Sequence, residues 1–233
     1  MTEDATKAGV PTYHHLDNSQ SQRILWLIEE LGIDYNLKTY LRNTKTFRAP
    51  PELKDVQVLG KAPVLVTVEG RTITECSAIA AYLINTYDTA GRFKSTDWIR
   101  DEILTSFAGS TLGPIMALEL MFDIGAKRTP WPLVYLARAF QKGVRKNFTA
   151  AEWKNGLSYL ETELGDKKWF NGDGEPGRVD FMLSWPFDML AQRQWVDFEQ
   201  EYPNLAGWRK SVQEREAWKK ALEKGNGYDL TIW

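Results

Sequence analysis

A proline placed directly before a short apolar run constrains this chain more than any other feature. Gly60-Lys61-Ala62-Pro63 closes a loop, and Val64 to Val68 is a β-prone run suited to a buried strand. Glu69-Gly70 makes a tight turn to a partner strand over Arg71 to Thr74. Glu75-Cys76-Ser77 then opens a helical pattern with Ile79, Tyr82, Leu83 and Tyr87 on one face. Proline cannot join the ladder at the mouth of a strand, so the residue before it keeps free backbone groups. A cis Ala62-Pro63 bond would turn the Ala62 amide and carbonyl outward. The helix start adds free N–H groups and about half a positive charge. These groups suit a ligand with one peptide backbone and one carboxylate. A hairpin followed by a helix, with no ligand, accounts for the same residues.

Composition narrows the setting. The chain has 233 residues, 43% hydrophobic and 26% charged, enough for a sizeable core in one large or two smaller domains. A net charge of −2 offers no footprint for nucleic acid. One cysteine rules out an internal disulfide and suits a reducing compartment, here expected to be the cytoplasm. No apolar run approaching 18 residues is visible, so no membrane span is expected. Met1 to Pro11 lacks the apolar core of a secretory signal and reads as a loose extension. The 10 tryptophans suit aromatic clefts or, more commonly, large core fillers.

Taken in order, Thr12 to Leu16 reads as a strand, Asp17 to Gln20 as a loop, and Ser21 to Leu31 as a helix stopped by Gly32. Tyr35 to Tyr40 is a second strand, 41–49 a loop, and Pro51 to Asp55 a short helix. With the stretch above, the order is β-α-β-α-β-β-α, that of a thioredoxin-like α/β domain. We place that domain at 12–87, a polar linker at 88–96 and an all-helical domain at 97–233, where strand signals vanish. The helical half predicts a long helix from Asp97 to Phe122 kinked at Gly113-Pro114, and helices over Leu133 to Phe148, from a Thr149–Glu152 capping box to Leu164, over Arg178 to Arg193, and over Leu205 to Lys224 with a solvated face.

Three motifs in this order, DNSQSQRILWLIEELG, APPELKDVQVLGKAPVL and ITECSAIAAYL, ahead of an all-helical half, resemble the cytosolic glutathione transferases, most closely a microbial Ser-type branch. The likeness covers nearly the whole chain beyond Pro11. It implies glutathione as co-substrate, an apolar electrophile as second substrate, detoxification with possible peroxide reduction, and a homodimer. It implies that Pro63 is cis, that Ala62 pairs with the cysteinyl part of glutathione, and that Glu75 and Cys76 hold the γ-glutamyl end. Lys61 is either a partner for a glutathione carboxylate or a solvated loop lysine. Cys76 departs from the family's serine and is a weaker donor. In the helical half Gly177 to Asp180 replaces a Ser/Thr-led cap, a folding feature.

The family places its thiol-activating hydroxyl in the loop after the first strand. Ser19 matches that position best, with Asn18 and Ser21 as rivals, and a plain helix cap is the other reading of Ser19. The loop holds no cysteine, against a C-x-x-C redox mechanism. Cys76, at a helix start, is expected to be a small half-buried residue or, less simply, a thiol of lowered pKa able to form mixed disulfides. His14 and His15 point to opposite strand faces and lack a third ligand, so no metal is expected. Phe107, Met116, Met121 and Phe122 are candidates for an apolar second-substrate wall or for core. A non-catalytic binding protein on the same fold and a glutathione-dependent disulfide oxidoreductase remain the alternatives to a transferase.

Overall fold

In the computed structural model, which describes residues 7–232, Thr12–Leu16 becomes β1 and the periodic run Ser21–Leu31 becomes α1, ended by Gly32 in the left-handed region at φ 65°. β2 (Asn36–Tyr40), α2 (Leu53–Val56), β3 (Val64–Val66), β4 (Thr72–Ile73) and α3 (Cys76–Tyr87) complete the thioredoxin-like order. The sheet runs β2-β1-β3-β4, with β1 parallel to β2 and antiparallel to β3. Val64 pairs with His14, so Pro63 and Ala62 lie beside the end of β1 and the loop that follows it. The Ala62-Pro63 bond is cis, as expected; so is Trp131-Pro132. Within the described part of the expected extension, Lys7 bonds to Asn36. The Lys7 N–H donates to Asn36 Oδ1 and Asn36 Nδ2 donates back to the Lys7 carbonyl. The remainder of the expected extension lies outside the described residues.

The second half is helical throughout: α4 (Trp98–Ser106), α5 (Gly113–Arg128), α6 (Val134–Val144), α7 (Ala150–Leu164), α8 (Arg178–Gln192), α9 (Phe198–Glu201), α10 (Pro203–Glu214) and α11 (Glu216–Lys224). Two junctions differ from expectation for one reason. Between α4 and α5 the chain stays helical through a π turn, Phe107–Leu112, directly ahead of Gly113-Pro114, and this local rewinding lets the helix continue past the N–H that proline lacks. Between α6 and α7 a second π turn, Arg145–Thr149, keeps Thr149 helical at φ −70°, so it makes no cap, and its hydroxyl donates instead to the buried Glu119. The run Trp98–Arg128 is 31 residues long with a window of mean hydropathy 1.3, long and apolar enough to cross a bilayer, which corrects the expectation that no stretch reaches that length. Leu104, Ala108, Leu112 and Met116 on it pack into the protein core.

The last expected helix is two. Arg215 leaves helical geometry at ψ 133° and swings its guanidinium between Glu30 of α1 and Glu175. The second piece, α11, is not solvated on all sides: Trp218 is buried edge-on against Trp26 of α1, and Lys224 pairs with Glu29. α8 is the central buried helix, packed on α1 and α3, so one apolar core runs from Tyr13 in the sheet to Leu230 near the C-terminus. Asp180 accepts from the Gly177 and Phe170 N–H groups and from Trp208 Nε1, which makes the Gly177 turn a folding feature.

Candidate functional site

Three backbone features meet at one end of the sheet. The first is the Asp17–Gln20 loop, the second the cis Ala62-Pro63 bond beside it, and the third the start of α3. The Cys76 sulfur lies 4.0 Å from the Gln20 carbonyl, which brings the helix start against the loop. Glu75, directly before α3, is exposed and sits at φ 65°, ψ 123°, a region a side-chain-bearing residue rarely occupies. Such positions persist where surrounding structure over-determines them, and they concentrate at ligand clamps. Ala62 is half-buried and Pro63 buried, while Lys61 stands exposed with its carbonyl accepting from Gln57 Nε2 at 2.9 Å.

The loop hydroxyls face inward. Ser19 is 4% exposed, and its Oγ donates to the Leu16 carbonyl at 2.8 Å and accepts the Ser21 N–H at 3.1 Å. Ser21 is fully buried, its Oγ 3.0 Å from Ser19 Oγ and accepting the Leu16 N–H. A hydroxyl has one proton, so two serines bonded to each other and to one carbonyl have none left for a ligand. Asn18 is half-buried with φ 47°. Its Nδ2 donates one N–H to Asp17 Oδ2 at 3.0 Å, and its Oδ1 accepts the Asp229 N–H at 2.6 Å. These two partners fix which end of the amide is which. The second Nδ2 proton has no acceptor among the described residues. Asp17 is itself held by the Arg42 N–H at 2.7 Å.

Cys76 is 4% exposed and burial pushes its thiol up, with the adjacent Arg23 guanidinium only partly offsetting this. This corrects the expectation of a lowered pKa at a helix start: the helix field is outweighed because the side chain points into the core. Arg23 ties the loop to the helical half, donating to Gln20 Oε1 and to the Met182 carbonyl on α8. His14 bonds the Tyr40 hydroxyl, and His15 donates from Nε2 to the Gly225 carbonyl at 2.9 Å. Burial holds both imidazoles down at about 4. Met116 is buried, Met121 exposed, Phe107 rings Tyr159 and Phe122 rings Phe140, so the four wall candidates do not share one surface.

Sequence reading missed the C-terminal segment. After α11 the chain turns back across the loop, and the Asn18 N–H donates to the Gly227 carbonyl at 3.3 Å. The Gly225-Asn226-Gly227 punctuation was the available signal of that turn.

A thioredoxin-like sheet whose first loop, cis-proline strand and helix start converge, backed by a helical domain, defines a class of two-domain proteins. Residues 19–86 match the family described as glutathione S-transferase, N-terminal domain, and residues 141–211 its C-terminal domain. The chain is 30% identical over 220 residues to glutathione S-transferase 1 of Saccharomyces cerevisiae, covering 91% of this chain and 93% of that one. It is 30% identical over 223 residues to glutathione S-transferase 3 of Schizosaccharomyces pombe, covering 94% and 90%. A crystal structure of a glutathione S-transferase from Actinobacillus pleuropneumoniae superposes with a TM-score of 0.69 at 29% identity, covering 95% of each chain. This chain therefore belongs to the glutathione S-transferase family.

Proposed function

We propose that the chain is a cytoplasmic glutathione transferase in which Asn18, rather than Ser19 or Ser21, donates the hydrogen bond that keeps the glutathione sulfur ionised. The observation that carries this is the free Nδ2 proton of Asn18 in a loop whose hydroxyl protons are spent inside the protein. Glutathione lies extended across the site. Its cysteinyl backbone pairs with Ala62 ahead of Pro63, its γ-glutamyl carboxylate meets the N–H groups at Cys76, and Glu75 takes its ammonium. Lys61 is close enough in sequence to meet the remaining carboxylate. With the Cys76 side chain turned inward, the carboxylate is held by backbone N–H groups and the helix field alone.

The energetics suffice. A free thiol titrates near about 8.5, and lowering that by about 2 requires about 2.7 kcal/mol of preference for the thiolate. One hydrogen bond to a charged group supplies about 1.5–3 kcal/mol. No general base is required. The thiolate then attacks an apolar electrophile, and the same nucleophile serves attack on a hydroperoxide; either reaction is detoxification chemistry. The enzyme works as a homodimer.

The test is the pH dependence of glutathione conjugation to 1-chloro-2,4-dinitrobenzene. Asn18→Ala should raise the apparent pKa of kcat/KM and lower the rate at pH 6.5 by about 10–100-fold, the loss of about 1.5–3 kcal/mol. Ser19→Ala should lower thermal stability with a smaller change in the pH profile. The reverse pattern would return the role to Ser19.

A further inference from the structure

We infer that the C-terminal segment Gly225–Leu230 is a positioning strap that sets the Asn18 amide, with Gln192 of α8 as its anchor. The inference rests on the reading of Asn18 given above and adds what orients it.

The strap is held at both ends. At its start Gly225 is buried against the sheet, and its carbonyl accepts from His15 Nε2. At its far end Leu230 is fully buried. Gln192 grips the backbone on both sides of Asp229, donating from Nε2 to the Tyr228 carbonyl at 3.4 Å and accepting the Leu230 N–H at 2.8 Å. Arg193 donates from Nε to the Leu230 carbonyl at 2.8 Å, and the Tyr228 hydroxyl donates to the buried Asp188 at 3.1 Å. Between these anchors the backbone meets Asn18 twice, through Gly227 O and Asp229 N. Gly227 at φ 123° adopts a conformation that L side chains rarely take, and a Cβ there would lie 3.5 Å from Asn18 Oδ1. The backbone thus runs directly over the amide.

The consequence is chemical as well as steric. An asparagine side chain free to rotate would present oxygen or nitrogen to a thiolate, and the oxygen would repel it. The Asp229 N–H occupies the oxygen and Asp17 takes one Nδ2 proton, so the amide cannot flip and one N–H is left over. Donation into Oδ1 also polarises the amide and strengthens its remaining N–H. Gln192 never meets the sulfur and acts through the strap, so it is a positioning residue.

The test measures kcat/KM against pH for conjugation of 1-chloro-2,4-dinitrobenzene in the full-length chain. Gln192→Ala loosens the anchor, and Asp229→Pro deletes the one N–H that engages Oδ1. Asp229→Ala is the comparison, since it removes the carboxylate that caps Thr231 but keeps the N–H. The inference expects Gln192→Ala and Asp229→Pro each to raise the apparent pKa and lower kcat/KM about 3–10-fold at pH 6.5, with about equal rates to the parent at pH 9, where the thiol ionises unaided. Asp229→Pro must exceed Asp229→Ala, and combining Gln192→Ala with Asn18→Ala should add almost nothing. A strap that only closes the chain end would lower the melting temperature and leave the pH profile in place. Should Asp229→Pro fail to fold, Gln192→Ala and its double mutant decide alone. An unmoved profile in the strap variants while Asn18→Ala shifts it overturns the strap and leaves Asn18 standing. An unmoved profile in Asn18→Ala overturns both.

Discussion

His15 shows how burial tunes a single side chain beside the site. It is 1% exposed, donates from Nε2 to the Gly225 carbonyl, and leaves Nδ1 without a partner. A second proton would have to sit on that isolated nitrogen, so the imidazole stays neutral down to about 4 against an ordinary 6.5. In the unfolded chain the same ring charges near about 6.5. Between those values the unfolded state binds the extra proton and the folded state does not. Its contribution to stability is therefore complete above pH 6.5 and is lost as pH falls toward 4, amounting to about 3 kcal/mol. His15→Gln keeps a donor for Gly225 and cannot charge. Urea denaturation at pH 7 and pH 4.5 should show a smaller acid loss in His15→Gln than in the parent, and equal losses would refute the assignment. Asn18 belongs at this scale too. The sequence offered Ser19, with Asn18 and Ser21 as rivals, and could not order them, because the partners of Ser19 are backbone groups of Leu16 and Ser21 and the partner of Asn18 is Asp229, at the far end of the chain.

At the scale of elements, the chain is tight where α11 ends near α1. A Cβ at Gly225 would lie 2.6 Å from Gln22 Oε1, 3.0 Å from the Ala221 carbonyl and 3.1 Å from His15 Nε2. The backbone there is ordinary, at φ −73°, so the objection to a side chain is space alone. Gly225→Ala should cost about 1–3 kcal/mol in urea unfolding, because the backbone carbonyl cannot swing away as Gln22 can. A loss below about 0.5 kcal/mol would mean that the junction is looser than drawn. The same junction explains what could be read beforehand. β1 and α1 were readable to the residue, since the cap-forming loop between them, the helical periodicity and Gly32 are all local signals. The break at Arg215 was not, because no glycine or proline marks it. It is made by ion pairs to Glu30 and Glu175, remote in sequence. The Thr149 capping box misled for a related reason: the pattern is present, but the π turn before it keeps the chain helical and sends the hydroxyl to Glu119.

At the scale of the whole molecule, one helix is unfinished. α6 has no buried residue in the single chain. Leu133, Leu136 and Phe140, at i, i+3 and i+7, are 58%, 71% and 61% exposed and form one stripe. Only the flank toward α5 is supported, where Phe122 meets Phe140 edge to face. Large apolar side chains grouped in this way mark an interaction surface, and removing each from water is worth about 1.5–3 kcal/mol. If the chain forms the homodimer proposed above, this stripe is the expected contact. A stable contact of this kind needs about 800 Å² per partner, so neighbouring residues such as Met121 and Trp131, both exposed, must contribute. Sedimentation equilibrium should give twice the chain mass for the parent. Leu133→Glu combined with Leu136→Glu should give the single-chain mass with an unchanged far-ultraviolet spectrum, because both side chains are more than half exposed in the single chain, at 58% and 71%. A monomeric parent would remove the dimer. A dimer that survives both charges would move the contact to another face, the exposed Trp98, Ile99 and Ile103 of α4 being next to test.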